Sequence, residues 1–254
     1  MQRYGGTLIH HCRDEYGVLE IVETHGIRSL HFGTPPRQSA LALDDPDHLE
    51  LPYVRAMLSA LVFHHDPRRA LVLGLGGGTL ARFLLSQFPQ CRVDAVELRP
   101  RVVDLARTYF ALPDDVRLSI HLGDATGYVQ SPTSTDPYDL ILVDAYDHVG
   151  MDPRLIAAEF FGPCTKLLAP AGVLAINLWG THRIALRNST ELMKRYFERR
   201  SFLLPVPNRG NIVGLGLREP VTTEAWNRFR QRSRELEIRF GLEFPYLLRR
   251  IKVL

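Results

Sequence analysis

The stretch LVLGLGGGTL at residues 71–80 decides the fold, because a short apolar run leads through a glycine-rich turn into a helical pattern. The apolar run predicts a buried strand, and the residues after the turn predict a helix over 80–88. Glycines here let the chain turn tightly and approach a ligand beside a helix N-terminus. Glu97 ends the next predicted strand, 21 residues after Gly76, and a carboxylate at about that spacing can accept both hydroxyls of a ribose. The stretch therefore predicts a nucleoside site, with a ligand-free turn as the alternative.

Acidic residues also follow two later strands of the same predicted sheet. Asp124, in the run Gly123-Asp124-Ala125, comes after a strand over 116–122, and it could accept from the exocyclic amine of adenine or cap a helix instead. A strand predicted over 140–144 ends at Asp144, and Asp147 follows it three residues later. Two close carboxylates can bind a cation, and one of them can act as a general base toward an amine, although acids that cap a loop are the alternative. We expect both to point into the crevice above the sheet.

Strands and helices alternate through the rest of the chain after residue 51. Strands are predicted over 70–74, 92–97, 116–122, 140–144 and 173–178, and helices over 52–63, 80–88, 101–110, 154–168 and 184–197. A further strand is predicted over 212–217, and a helix from Thr222 or Thr223 to about Phe240. The alternation predicts an α/β protein with a mostly parallel sheet that helices cover on both faces.

The first fifty residues differ from this pattern. Residues 7–11, 18–24 and 27–32 read as short strands, and a loop from Thr34 ends the section. We therefore expect a small N-terminal β domain over residues 1–50 and a catalytic domain over residues 51–254.

Composition bounds the class of protein. The chain has 254 residues, 45% hydrophobic and 23% charged, as in soluble globular proteins. No apolar run reaches the roughly 20 residues of a membrane span, and the first residues lack a signal-peptide pattern. Three cysteines, far apart and odd in number, argue against a disulfide framework or a zinc site. We expect a cytoplasmic protein that needs no metal.

Charge is distributed unevenly along the chain. Residues 1–180 carry 15 basic and 21 acidic side chains, whereas residues 181–254 carry 16 and 7. An acidic body suits a small cationic substrate and disfavours nucleic acid as a partner. The basic residues of the C-terminal part are expected to lie on solvated helix faces.

The motifs together resemble those of the spermidine synthase family, the polyamine aminopropyltransferases, over about residues 38–178. The matching elements occur in family order: Gln38-Ser39, Tyr53, the turn at 74–78, Val96-Glu97, Gly123-Asp124-Ala125 and Asp144-Ala145-Tyr146-Asp147. The resemblance implies a small N-terminal β domain before a Rossmann-like domain of the class I methyltransferase type. It also implies transfer of an aminopropyl group from decarboxylated S-adenosylmethionine to putrescine or a similar small amine, with release of methylthioadenosine. Family members are commonly dimers, so a homodimer is expected.

The resemblance implies a role for each matching residue. Gln38 and Glu97 would hold the ribose, and Asp124 the adenine. Asp144 would help to deprotonate the attacking amine, with Tyr53 and Asp147 beside it. The donor-binding residues expected on this basis are Gln38, Gly74, Gly76, Gly77, Gly78, Thr79, Glu97, Asp124 and Ala125.

Three departures from the family pattern affect the amine half of the site. Thr79 stands where the family turn has an aspartate that contacts the transferred aminopropyl amine. Arg55 stands where the family has a glutamate, and it would repel a polyamine if it faced inward. The family's Pro-Thr-Tyr is replaced over residues 205–207. Without the turn aspartate a donor carboxylate fits, so an S-adenosylmethionine-dependent methyltransferase is the alternative. A non-catalytic nucleoside-binding protein and a nucleic-acid methyltransferase are further alternatives.

Overall fold

The computed structural model of the chain describes residues 1–134, 136–146 and 150–254. The N-terminal residues form an antiparallel sheet in the order β1-β2-β3-β4-β5, with strands β1 (Gln2–Arg3), β2 (Gly6–Asp14), β3 (Gly17–Thr24), β4 (Ile27–His31) and β5 (Arg37–Ala42). The sequence predicts the three middle strands only. The loop predicted from Thr34 ends at Arg37, because the next residues pair with β4, Ser39 opposite Leu30.

The rest of the described chain alternates strands and helices. Its first part comprises α1 (Pro52–Met57), α2 (Ala60–Phe63), β6 (Arg69–Leu73), α3 (Thr79–Gln87), β7 (Arg92–Glu97), α4 (Pro100–Tyr109), β8 (Leu118–Leu122), α5 (Ala125–Gln130) and β9 (Tyr138–Val143). Its second part comprises α6 (Ala158–Leu167), β10 (Leu168–Trp179), α7 (Arg183–Phe197), β11 (Ser201–Pro205), β12 (Asn211–Leu217), α8 (Thr223–Phe240), α9 (Phe244–Arg250) and β13 (Lys252–Val253).

The second sheet has the order β13-β11-β12-β10-β9-β6-β7-β8. Strands β10, β9, β6, β7 and β8 are mutually parallel, which confirms the predicted mostly parallel sheet. Strand β12 adds to β10 in the antiparallel direction, and β11 and β13 follow it. The order reverses between β6 and β9, so their carboxyl ends flank the crevice where open α/β sheets bind ligands.

Both faces of this sheet are covered, as predicted. Alternate residues of each central strand point to opposite faces. Ala70 and Val72 of β6 pack with α1, α2, α3 and α8, whereas Leu71 and Leu73 pack with α5, α6 and α7.

Two predicted helices are interrupted. The helix predicted over 52–63 breaks between α1 and α2, where Ser59 N–H donates to the carbonyl of Ala56 and Val62 N–H to that of Ser59. Hydrogen bonds between residues three apart are of the 3₁₀ type, and they wind the chain more tightly than an α-helix does. The helix predicted over 154–168 is split by extended Ala157, which separates a 3₁₀ turn at Pro153–Ile156 from α6. The predicted cap of the late helix is confirmed, since the Thr222 hydroxyl accepts from the N–H of Ala225 at 3.2 Å.

The N-terminal sheet packs on α4. Leu19, Ile21 and Leu30 of the sheet form a small core with Val102 and Leu105 of the helix. The division into domains at residue 50 stays a prediction. Within the described residues, no helix has both the length and the apolar content needed to cross a membrane.

Candidate active site

The glycine turn holds two strand ends close together. Gly74 has φ of +93°, and a Cβ added there would lie 2.4 Å from the carbonyl oxygen of Asp144. Only glycine fits such a position, because it tolerates positive φ and has no Cβ. The N–H of Gly74 donates to the carbonyl of Val96, and the N–H of Asp144 donates to the carbonyl of Leu73. These hydrogen bonds hold the ends of β6, β7 and β9 side by side.

A cavity of about 940 Å³ lies above these strand ends. Its volume is within the range of pockets that hold small organic ligands. Most of the predicted site residues line it together: Gln38, Tyr53, Gly74, Gly76, Thr79, Glu97, Asp124, Ala125 and Asp144. Asp147 lies outside the described residues.

Gly77 and Gly78, which were also expected to bind the donor, are not among the residues that line the cavity. The N–H of Gly77 donates to the Ser39 hydroxyl at 2.7 Å, and a side chain there would meet Phe110. Gly78 is the left-handed N-cap of α3 and lies against Leu112. A side chain at either position would clash with its neighbours, so both glycines serve the close packing of the turn.

Glu97 is a buried carboxylate held by backbone donors. It accepts from the N–H of Leu75 at 3.1 Å, of Gly76 at 3.4 Å and of Arg99 at 3.0 Å. Burial raises the pKa of Glu97, and these hydrogen bonds counter that effect only in part. A carboxylate offers about four acceptor positions, so capacity remains on the cavity side.

Asp124 has two partners besides facing the cavity. Its Oδ1 accepts from the N–H of Gly127 at 2.9 Å, which makes it the N-cap of α5. Its Oδ2 accepts from Arg154 at 2.8 Å. Asp124 therefore does cap a helix, as the alternative interpretation of the sequence had it, but only one of its two carboxylate oxygens is used for this. The side chain still borders the cavity.

Asp144 lines the same cavity, directly after the end of β9. Burial raises the pKa of its carboxyl to about 6, against the lowering effect of hydrogen bonds from Asn177 and Tyr53. The Nδ2 of Asn177 donates to Asp144 Oδ1 at 2.9 Å. The Tyr53 hydroxyl also lies 3.3 Å from the carbonyl oxygen of Gln38, so its single proton can serve either acceptor. A carboxylate with a pKa close to neutral is suited to take up a proton.

Further lining residues were not predicted as site residues. Asn177, Trp179, Arg209 and Asn211 line the cavity near Asp144, and Tyr146 stacks on Trp179 with ring centroids 5.7 Å apart. The sequence offers two signals: Asn177 is a polar residue inside an apolar run, and the aromatic rings of Tyr146 and Trp179 could contact an ammonium or pack in the core. Arg209 and Asn211 are brought in by β12 and the turn before it, and no local pattern reveals the pairing of β12 with β10.

Arg55 does not face this cavity. Its Nε donates to Glu243 at 3.1 Å and its Nη1 to the carbonyl of Leu49 at 2.6 Å. Repulsion of a polyamine by Arg55 is therefore not a feature of the site. Thr79 does line the cavity, so the neutral residue at that position is part of the wall. Among the described residues, no three His, Cys, Asp or Glu side chains are grouped so as to hold a metal.

The parallel sheet, the glycine turn and the acids at the strand ends define a Rossmann-like α/β protein of the methyltransferase type. A probable spermidine synthase from Corynebacterium glutamicum shares this fold, with a TM-score of 0.74 at 24% identity over 91% of this chain and 87% of the other. The predicted fold class is thereby confirmed.

Comparison of sequences identifies the family. The family model of the spermine/spermidine synthase domain matches residues 53–213. A polyamine aminopropyltransferase of Chromobacterium violaceum is 37% identical over 92% of this chain and 89% of its own length. One from Neisseria meningitidis is 30% identical over 99% and 95%. The chain belongs to the spermine/spermidine synthase family, as its motifs predicted.

Proposed function

We propose that this chain is a polyamine aminopropyltransferase. It transfers the aminopropyl group of decarboxylated S-adenosylmethionine to a small, putrescine-like amine and releases methylthioadenosine. Relatives that bear this name match over almost their whole length. The observation that carries the proposal is the position of Asp144, a carboxylate with a pKa of about 6, in one cavity with Glu97 and Asp124.

The nucleoside part of the donor occupies the half of the cavity nearest the glycine turn. Glu97 and Gln38 bind the ribose hydroxyls, and Asp124 accepts from the adenine amine. Gly74 and Gly76 let the backbone approach the donor, with Thr79 and Ala125 beside it. These roles rest on the shared lining of one cavity and on acceptor capacity that Glu97 retains beyond its backbone partners.

The acceptor amine occupies the half of the cavity near Asp144. An ammonium has no lone pair, and removing a proton at pH 7 from an amine of pKa about 10 costs roughly 4 kcal/mol. In the proposed step that proton passes to the Asp144 carboxylate, with Tyr53 beside it. The amine nitrogen bonds to the aminopropyl carbon, the carbon–sulfur bond breaks, and its electron pair neutralises the sulfonium. Alignment of nitrogen, carbon and sulfur supplies the remaining acceleration.

One observation supports a second candidate function. Thr79 is uncharged and lines the cavity, so the wall there has no carboxylate to oppose the carboxylate of intact S-adenosylmethionine. An S-adenosylmethionine-dependent methyltransferase is the alternative on this ground.

A donor comparison separates the two functions. The purified chain is titrated with decarboxylated and with intact S-adenosylmethionine by calorimetry, and then incubated with each donor and putrescine. We expect tighter binding of the decarboxylated donor, and methylthioadenosine together with an amine product one aminopropyl group heavier by mass spectrometry. Preference for the intact donor, with a methylated product, would overturn the proposal.

A homodimer in the cytoplasm completes the proposal. The molecular mass in solution, measured by light scattering, tests the assembly. A monomeric mass would contradict it without affecting the proposed chemistry.

A further inference from the structure

A row of hydrogen-bonded side chains ends on the carboxylate of Asp144. The buried Asn177 of β10, 2% exposed, donates from Nδ2 to Asp144 Oδ1 at 2.9 Å. Its Oδ1 accepts from Nδ2 of Asn211 at 3.0 Å. Its backbone carbonyl accepts from the Tyr146 hydroxyl at 2.6 Å. Asn177 is therefore held from three sides.

The antiparallel pairing of β10 with β12 places the two amides together. Asn211 lies opposite Trp179, and Asn177 lies opposite Val213. Asn177 and Asn211 are thus diagonal neighbours on one face of the sheet, within reach of each other's side chains. Asn211 contacts Asn177 and borders the cavity without a hydrogen bond to Asp144 among the described contacts.

The chemistry of the three groups fixes the direction of the row. An ionised carboxylate can only accept, so Asn177 must present its Nδ2 to Asp144. Its Oδ1 then faces Asn211, which must present its own Nδ2. If Asn177 turned over, its Oδ1 would face the carboxylate oxygen, and the repulsion between the two acceptors would favour the protonated acid.

We propose that Asn211 is a positioning residue, which holds the Asn177 amide in the orientation that keeps Asp144 ionised and aligned. The inference rests on the proposed function, in which Asp144 takes the proton of the acceptor amine. Asn211 acts through Asn177 and not on the substrate.

Among the described residues, the titratable groups that interact with Asp144 do not change charge near neutral pH. Tyr53, from α1, and Tyr146, just after β9, interact with it, and burial raises the pKa of both phenols further above 10. Glu97 and Arg209 line the same cavity, but neither is hydrogen-bonded to Asp144 among the described residues. In a variant that adds no charge, a change in the titration of Asp144 therefore reports on the Asn177 amide.

Two variants at one position test the proposal. Asn211→Asp keeps the shape of the side chain but removes the donor, so Asn177 must turn its Nδ2 toward position 211. Asn211→Ala removes the partner without adding charge. Asn208→Asp is the control for charge, because it adds the same charge on the exposed turn that precedes β12, at a left-handed residue with φ of 56° that aspartate tolerates.

The first measurement is the carboxyl titration of Asp144 in the ligand-free protein, by ¹³C NMR with Asp144→Asn for assignment. We expect a raised pKa in both variants at position 211, more so in Asn211→Asp, and none in Asn208→Asp. The second is kcat against pH, where the acidic limb should move upward with the NMR pKa. In Asn211→Asp, kcat at pH 7 should fall about tenfold, a fraction of the 10²–10⁴ that a general base contributes.

Two results would overturn the positioning role. One is that Asn211→Ala, when folded, titrates like the wild type, because a shift confined to Asn211→Asp is what its added charge would cause directly. The other is that Asn208→Asp shifts the pKa of Asp144 as much as Asn211→Asp does. Thermal unfolding of each variant establishes that it is folded. The NMR titration needs no donor, so the absence of methylthioadenosine in the wild-type assay would contradict the proposed function separately.

Discussion

Glu97 and Asp144 are two carboxylates in one cavity whose surroundings suit them to different tasks. Burial raises the pKa of both. Glu97, however, accepts from three backbone N–H groups, which fix it as an acceptor. Asp144 is held by side chains, Asn177 and Tyr53, and its pKa of about 6 allows proton exchange near neutral pH. In the proposed function, the environment rather than the residue type separates the binding acid from the reacting one.

Replacing Asp144 tests this assignment at the residue scale. Asp144→Asn keeps an oxygen that can accept from Asn177 but removes the base, so kcat should fall about 10²- to 10⁴-fold. The wild-type rate should rise with pH through about 6, because the carboxylate must be ionised to take the proton, and the variant should lose that limb. Binding of methylthioadenosine, measured by calorimetry, should be unchanged.

Asp66→Asn, on an exposed side chain that pairs with Arg68, is the control for a surface change of the same kind. An Asp144→Asn enzyme that retains the wild-type kcat would contradict the assignment.

At the scale of elements, sequence patterns predict those parts whose periodicity is local. The strand at 92–97 and the cap at Thr222 were predicted as observed. Strand β5 was not, because its polar start at Arg37 and Gln38 reads as loop and only pairing with β4 makes it a strand.

The candidate site divides in the same way. Glu97 and Asp124, which we propose bind the nucleoside, end or follow strands, so local spacing predicts them, whereas Gln38 was expected only from the family resemblance. The other half of the site depends on β12, which brings Asn211 against Asn177 through long-range pairing with β10. No local pattern encodes that contact, which is why Asn211 was missed.

The glycine turn provides a prediction about an element. Gly74→Ala places a Cβ 2.4 Å from the carbonyl of Asp144 at φ of +93°, so the ends of β6 and β9 must separate. Positive φ costs an L-residue about 1–2 kcal/mol, and overpacking adds about 1–3 kcal/mol. The free energy of unfolding, from urea titration, should fall by about the sum.

Gly26→Ala is the matched control, because Gly26 also has positive φ, +76°, but open space around it. Its free energy of unfolding should fall only by the cost of holding alanine at positive φ, about 1–2 kcal/mol. Equal losses in both variants would mean that the contact with Asp144 is not tight.

At the scale of the whole molecule, the cavity is shared by both sheets. Gln38 comes from β5, whereas Gly74, Glu97 and Asp144 come from the ends of β6, β7 and β9. The N-terminal sheet must therefore be docked for the cavity to be complete. Arg99 joins the two parts, because its N–H donates to Glu97 while its guanidinium reaches the N-terminal sheet.

The ion pair of Arg99 with Asp14 is the test of that docking. Both side chains are largely buried, and Arg99 donates to the two carboxylate oxygens at 2.7 and 3.0 Å and to the carbonyl of Gly17. Although burial alone would raise it, the hydrogen bonds from Arg99 lower the pKa of the Asp14 carboxyl. A lowered folded-state pKa means that the stabilisation is present above the unfolded pKa of about 3.9 and is lost as pH falls below it.

Asp14→Asn leaves the buried guanidinium without its counter-charge, so the free energy of unfolding at pH 7 should fall by about 3 kcal/mol. Protonation of Asp14 removes the same charge from the wild type. The difference in the free energy of unfolding between the two proteins should therefore shrink as pH falls below about 4. Urea titrations at both pH values measure this, with Asp66→Asn as the control, since the exposed pair of Asp66 with Arg68 should contribute less than about 1 kcal/mol. A loss that stays constant between the two pH values would show that Asp14 stabilises the docked sheet through packing and not through its charge.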